Sequence, residues 1–495
     1  MLVRLNKIFN SGWAIFLIAG MMPLAWNFWN IGLMRQLPDA DLRLRHGVTV
    51  ATSDDVSYLR PAEELLARIK GEAYTESVVV RSPGYGVLYM LPRSLFEPAT
   101  ALGLLTFLQV FLFAASVVLL WHTLQVMGIN GKILWACTLI IAMMPTFHGF
   151  LFYTLTEAVT PAYVLICLAS ALLLWRTGER RWLWIGGSAW CILTLTRPIL
   201  LWAGLPLLWV VLHGPRGLVR GAVLLLLACL PTVIWWLGES HRSGMLLSPH
   251  PVYRPESNSL FRPTHRAFWD LAKSWGMRGD HFHSIMEQGF HSALEGSIGF
   301  AAAEAFIADV PDGHLSYEQQ AMIKAAFHEW QVFTSTIHAP LVEQGALFET
   351  RRYEEEERIV ARLDEVARSY RRDHPFTYHF QVPLRVLKDM LLHSNLNLYM
   401  FQHTYRGTIP VEALRWASLI IHVCLLMLVF LVPWMAFPAP LRIAAVLALL
   451  YLGFLAYVQR GVEERYTLPV LHLCVLFGAA IAQRYFPSRD RSGSA

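Results

Sequence analysis

The chain has 495 residues, 55% of them hydrophobic and only 16% charged, with 18 Trp and 27 Phe. Its apolar residues fall in blocks of membrane-spanning length, which excludes a soluble globular protein, since a helix needs roughly 20 apolar residues to cross the hydrocarbon core. The net charge of +5 comes largely from the short loops between those blocks and from the C-terminal tail, so it implies no nucleic-acid partner.

In chain order, about ten segments read as spans: Gly12 to Leu33, Leu102 to Leu124, Ile133 to Phe150, Ala158 to Trp175, Trp182 to Leu195, Ile199 to Leu212, Val219 to Leu237, Leu414 to Phe437, Leu441 to Val458 and Leu468 to Ala482. The expected fold class is therefore an all-α polytopic membrane protein with a helical external segment. The first span is too long for the apolar region of a signal peptide, and no small-residue cleavage site follows it. It reads as an uncleaved anchor. The fifth and sixth spans are short and flank Thr196-Arg197-Pro198. Proline removes a backbone donor and restricts the residue before it, so the pair reads as a hairpin with Arg197 at its turn, one bent helix being the competing reading. All six cysteines (Cys137, Cys167, Cys191, Cys229, Cys424, Cys474) lie inside these spans. They offer neither a disulfide framework nor a zinc spacing.

A cytoplasmic N-terminus puts Arg4, Lys7, Lys132, Arg176, Arg180, Arg181, Arg216, Arg220, Arg442, Arg484, Arg489 and Arg491 inside, as the positive-inside rule asks. Both termini are then cytoplasmic. Three regions follow: residues 1–238, with a first external loop at 35–98; an external, mostly helical segment at 239–412; and the C-terminal spans and tail at 413–495. The loop around Asp54, the turn Thr156-Glu157, Arg197, the external segment and the turn from Arg460 to Tyr466 all share the outer face.

Within the external segment, Ile359, Leu363, Val366 and Tyr370 form one apolar stripe, with Glu354 and Arg358 as an i, i+4 pair on the wet side. Asp373-His374-Pro375 ends that helix. A following run places Leu384, Leu387 and Leu391 on one face and Arg385, Lys388 and Asp389 elsewhere, as expected of a helix lying in the interface. Simple packing onto the membrane core explains both stripes as well. Thirteen of the nineteen histidines fall here, including His281, His283 and His291. Residues i and i+2 of a helix do not face together, and no Cys or Glu completes a zinc spacing, so no metal site is expected from them.

The first external loop carries Asp54-Asp55-Val56-Ser57-Tyr58 and, further on, Arg81-Ser82-Pro83-Gly84-Tyr85. An acid pair and an isolated cation at a membrane rim suit a reaction in which a hydroxyl is deprotonated and a phosphate leaves. Asp54 and Asp55 also suit a helix N-cap, since a helical pattern from Val56 to Lys70 follows. Asp39-Ala40-Asp41 is a rival pair that can hold a divalent cation or form a solvated turn. Glu157 and Arg197 sit at the outer ends of spans, where a charge is tolerable only if paired or solvated. Either can be an interfacial anchor. The fork of Arg197 also matches phosphate oxygens, while Arg460, Glu463, Glu464, Arg465 and Tyr466 can form a self-neutralising ion cluster.

Asp54-Asp55-x-x-Tyr58 resembles the D-[DE]-x-x-Y pattern of GT-C glycosyltransferases that use polyprenyl-phosphate sugars, a class that includes protein O-mannosyltransferases and lipid A aminoarabinose transferases. Arg81-x-Pro83-Gly84-Tyr85, Thr156-Glu157, Leu195-Thr196-Arg197-Pro198 and Arg465-Tyr466-x-x-Pro469 are similar, in order, to that class's later motifs. The resemblance runs from about residue 12 to residue 480. Asp55 stands where Glu is commoner, and the external segment lies between spans seven and eight instead of at the C-terminus. The resemblance implies a multi-span enzyme of the bacterial inner membrane with a GT-C-like bundle and an active site facing the periplasm. Asp54 would be the general base beside Asp55. Arg81 and Arg197 would hold the donor phosphate, and Tyr58, Tyr85, Glu157, Arg465 and Tyr466 would contact substrate. Its partners would be a polyprenyl-phosphate-linked sugar, a glycan, lipid or protein acceptor of the cell envelope, and membrane lipids, with a divalent cation as the one cofactor option. The lack of a Rossmann-type Gly-rich loop fits a lipid-carried donor. Two rivals from other classes are a transporter or flippase of lipid-linked sugars and a lipid-linked oligosaccharide polymerase or ligase. Transport would place ionisable pairs near the bilayer midplane, whereas here they cluster at the rim.

Overall fold

Hydropathy dominates how the chain folds. The computed structural model describes residues 12–36, 44–45, 48–50, 55–72, 82–242, 262–344, 353–392, 407–460 and 464–486. Asp39, Asp41, Asp54, Arg81 and Glu463 lie outside the described residues, as do the side chains of Asp55 and Glu464. Among the described residues, seven helical stretches are long and apolar enough to span a membrane: Gly12–Met34, Pro98–Val126, Thr156–Thr177, Gly217–Gly238, Ile409–Trp434, Ala439–Gln459 and Arg465–Tyr485. The chain is an all-α, multi-pass membrane protein.

The N-terminal region runs through α1 (Gly12–Met34), a two-stranded antiparallel ribbon of β1 (Leu44–Arg45) and β2 (Thr49–Val50), α2 (Asp55–Lys70), α3 (Gly84–Arg93), α4 (Pro98–Val126), α5 (Gly131–Met143), α6 (Thr160–Thr177), α7 (Arg181–Thr196), α8 (Leu205–Leu212) and α9 (Gly217–Arg242). Three of the ten expected spans are shorter than a full crossing, and prolines explain two. Helix α5 stops before Pro145, at Met144 in extended backbone. Pro198 opens a 3-10 stretch, Pro198–Gly204, ahead of α8. Around Arg197 the chain reverses: Trp190 Nε1 donates to the Leu201 carbonyl (2.9 Å), and a Cβ on Gly204 would run into the Trp190 ring. The two short segments thus form a hairpin, not one bent helix.

The insert between the fourth and fifth long spans contains α10 (Pro263–Ala272), α11 (Gly279–Leu294), α12 (Ala301–Ala308), α13 (Tyr317–Phe333), α14 (Glu354–Asp373) and α15 (Val382–Leu392). Its core is separate from that of the bundle and is built from rings such as Phe268, Trp275, Phe306, Phe327, Trp330 and Tyr370. The stripe of α14 turns inward as expected, with Ile359, Leu363, Val366 and Tyr370 buried in this core. Glu354 and Arg358, both exposed, form no ion pair. On its solvent side α14 pairs Arg362 with Glu329 (2.7 Å). A buried pair, Arg262 with Glu356, staples the start of α10 to α14 (Nε to Oε1, 2.8 Å).

The chain returns to the bundle through a π-helical turn, Thr377–Gln381, and α15. Met390 belongs to the bundle core, Val386, Leu387 and Leu391 pack against it, and His422 Nε2 donates to the Met390 carbonyl (3.0 Å). Leu384 departs from the expected face. It is exposed with Phe376 and Phe380, on the side of this segment that does not meet the bundle. The chain ends in α16 (Ile409–Leu431), α17 (Ala439–Phe454) and α18 (Leu468–Tyr485).

Candidate functional site

Polar side chains buried among the spans mark the site, because each needs a partner that lipid cannot supply. On α4, Gln109 donates to the Leu151 carbonyl (2.7 Å) and accepts from the Tyr85 hydroxyl (2.5 Å). Thr106 and Thr49 share a hydroxyl hydrogen bond (3.0 Å). The Val50 amide donates to the Phe152 carbonyl (2.8 Å), and Val50 bridges Tyr153 in parallel. These bonds hold the first loop against the segment leading to Glu157.

Glu157 lies in a 3-10 turn, Thr156–Ala158, just ahead of α6. Arg197 reaches it from the hairpin turn (Nη1 to Oε1, 2.7 Å), Arg465 approaches the same oxygen (3.8 Å), and Thr156 donates to Oε2 (3.1 Å). Only 2% of the Glu157 side chain is exposed, against 17% for Arg197 and 11% for Arg465. Burial of a lone carboxylate at this depth would be prohibitive, and the guanidinium groups of Arg197 and Arg465 supply its counter-charge.

The Tyr466 ring covers this charge, 4.3 Å from the Arg197 guanidinium. Tyr451 on α17 fixes Tyr466 by donating to its carbonyl (3.1 Å). From the first loop, Tyr58 on α2 comes within electrostatic range of Arg197 and meets Tyr85 edge to face (5.6 Å). Tyr85 itself has no exposed surface, so its phenol is a strut between α3 and α4. Helix α3 seats tightly: a Cβ on Gly84 would collide with the Thr196 backbone. Helices α2 and α3 are tied by Glu63, which accepts from the Tyr89 hydroxyl (2.6 Å) and the Arg93 Nε (2.8 Å).

The structure therefore gathers Tyr58, Tyr85, Glu157, Arg197, Arg465 and Tyr466 from five separate segments. Asp54 immediately precedes α2 in the chain, and Arg81 lies three residues before Gly84; neither is a described residue. Sequence reasoning missed Gln109, Tyr153 and Tyr451. A glutamine in an otherwise apolar span was a readable signal for the first. Among the described residues no group of three or more His, Cys, Asp and Glu could hold a metal ion; His281, His283 and His291 lie along α11 without forming one.

The arrangement brings two guanidinium groups and one carboxylate beneath an aromatic ring, at one end of a helical bundle. No protein-family model, curated protein or solved structure matches the chain.

Proposed function

We propose that the chain is an inverting glycosyltransferase that moves a sugar from a polyprenyl-phosphate donor to a glycan, lipid or protein acceptor at the outer face of the bacterial inner membrane. The observation that carries this reading is the pair of guanidinium charges, Arg197 and Arg465, that converge on Glu157 at one end of the bundle. A phosphate leaving group needs such a charge, and a preorganised cation in a poorly hydrated site is where it acts most strongly. Glu157 keeps both guanidiniums oriented, and Arg81 is the further cation assigned to the phosphate. Asp54, one residue ahead of the helix that carries Tyr58, takes the acceptor proton as its oxygen attacks the anomeric carbon opposite the phosphate. The C–O bond to the phosphate breaks and its electron pair leaves with the phosphate. Asp55 supports Asp54.

The test uses purified full-length protein with a polyprenyl-phosphate sugar and an envelope-glycan extract. Asp54→Asn keeps much of the side-chain shape but accepts no proton, so turnover should fall by roughly a hundredfold while donor binding persists. Normal transfer by Asp54→Asn would remove the base assignment. Donor that crosses the bilayer with no sugar transferred would favour the transporter reading instead.

A further inference from the structure

Where the insert meets the bundle, two arginines converge on one phenol ring. The Arg460 guanidinium stands 3.7 Å from the centre of the Tyr378 ring and that of Arg371 stands 5.6 Å from it. Arg460 donates from Nε to the Tyr457 carbonyl (2.6 Å) and from Nη1 to the Lys273 carbonyl (3.4 Å). Its Nη2 makes no hydrogen bond, although the residue is only 4% exposed. The nearby carboxylates are already used: Asp270 pairs with Lys273 (2.6 Å) and Asp373 with Arg372 (3.1 Å). Among the described residues neither Arg371 nor Arg460 has an acidic partner, and the two like charges flank one ring.

A buried cation without a counter-charge is unfavourable, and a like charge beside it makes it more so. Stacking on Tyr378 and Tyr457 offsets part of that cost. It does not satisfy Nη2, and it does not cancel the second charge. An anion with several acceptor oxygens would do both. The depth in the membrane indicates which anion. Residue 460 directly follows the Ala439–Gln459 span; His379 stacks on Tyr457, and Phe376, Phe380 and Leu384 are exposed, as are Tyr457 and Val458. Apolar surface on this side of a headgroup-level cation is the setting of a lipid phosphate.

We propose that Arg371 and Arg460, on either side of Tyr378, form a binding site for a phosphate group, built from residues other than the Glu157 cluster. Arg371 is exposed and makes the first contact. Because Nη2 of Arg460 has almost no surface of its own, the phosphate reaches it through a small opening of the side chains at this rim. The guanidinium forks match tetrahedral phosphate oxygens, whether these belong to a lipid headgroup or to a soluble phosphate compound.

The test needs no sugar transfer, so its failure is separable from failure of the glycosyltransferase reading. Full-length protein in phosphatidylcholine nanodiscs is titrated with inorganic phosphate against chloride at equal ionic strength. In a second arm it is placed in nanodiscs with increasing phosphatidylglycerol. The thermal unfolding midpoint is followed in both. Wild type should be stabilised in at least one arm, and Arg371→Gln should weaken the apparent affinity about tenfold. Arg385→Gln, whose guanidinium is not on the Tyr378 ring, should match wild type. Arg460→Lys should fall between wild type and Arg371→Gln, and if it fails to fold, Arg371→Gln decides alone. A response confined to phosphatidylglycerol assigns a lipid headgroup, and one to inorganic phosphate assigns a soluble phosphate compound. No response in either arm, or equal responses of wild type and Arg371→Gln, would overturn the proposal.

Discussion

The insert and the bundle each bury an ion pair, and the two pairs are built differently. Arg262 and Glu356 in the insert are matched one to one, with 6% and 2% of their side chains exposed, and Arg262 also leans on the Tyr353 ring (5.4 Å). That pair joins α10 to α14 and is a clasp. In the bundle Glu157 faces two arginines that come from the hairpin turn and from the start of the last span, under the Tyr466 ring. Similar burial thus takes two forms: one acid against one arginine in the insert, and one acid shared between two arginines in the bundle.

The contrast breaks most visibly at the clasp. Glu356→Ala removes the buried acid that faces Arg262, which should cost the insert about 3–5 kcal/mol; hydrogen exchange across α10 and α14 measures it, and unchanged protection there would mean that the pair is not a clasp. The corresponding change in the bundle should act on chemistry instead. In Arg197→Ala the Glu157 carboxylate keeps Arg465, so the fold survives while turnover falls by about a hundredfold or more. A variant that unfolded, or that turned over normally, would erase the difference between the two pairs. Gly84→Ala drives a methyl into the Thr196 backbone and should destabilise the α3–hairpin contact by about 1–3 kcal/mol, readable as a lower midpoint in detergent.

A further effect is a gradual one, spread over several pH units. Burial, aided by neighbouring positive charge, pushes both His265 and His338 in the insert down to about 3. They stay neutral when folded, whereas the unfolded chain takes up a proton at each below about 6.5. The unfolded state then binds more protons, so stability is full above that pH and falls as pH drops towards 3, by about 1.4 kcal/mol per pH unit for each histidine. His338→Phe should flatten the dependence of the insert's unfolding midpoint over that window. An unaltered slope would mean that His338 is protonated in the folded insert.

How much of this was legible in the chain depended on which forces leave a mark in sequence. The long spans and the Arg197 turn were, because hydropathy and proline act locally. Glu157, Arg197 and Arg465 could be placed at span ends, where charge is tolerated, but nothing in the spacing said that two arginines would share one acid. One position of α15, Leu384, was misread for a physical reason. Lipid and a protein core are equally apolar, so periodicity cannot tell whether Leu384 or Met390 meets protein. The resemblance put Tyr85 among the substrate contacts, and its hydroxyl turns inward to Gln109, a partner 24 residues away. The expected pairing of Glu354 with Arg358 failed because both are free in solvent, where such a pair adds little.

Gly84 sets a limit on how this site can move. Its contact with the Thr196 backbone lies between neighbours that matter on both sides: Tyr85 follows one partner and Arg197 the other. With no side chain between the two backbones, there is no spacer to compress or rotate, and the helix and the hairpin turn move as one piece. Facing it, Tyr466 is held at its carbonyl by the Tyr451 hydroxyl and at its ring by the Arg197 guanidinium. The Gly84 side is the fixed jamb of the site.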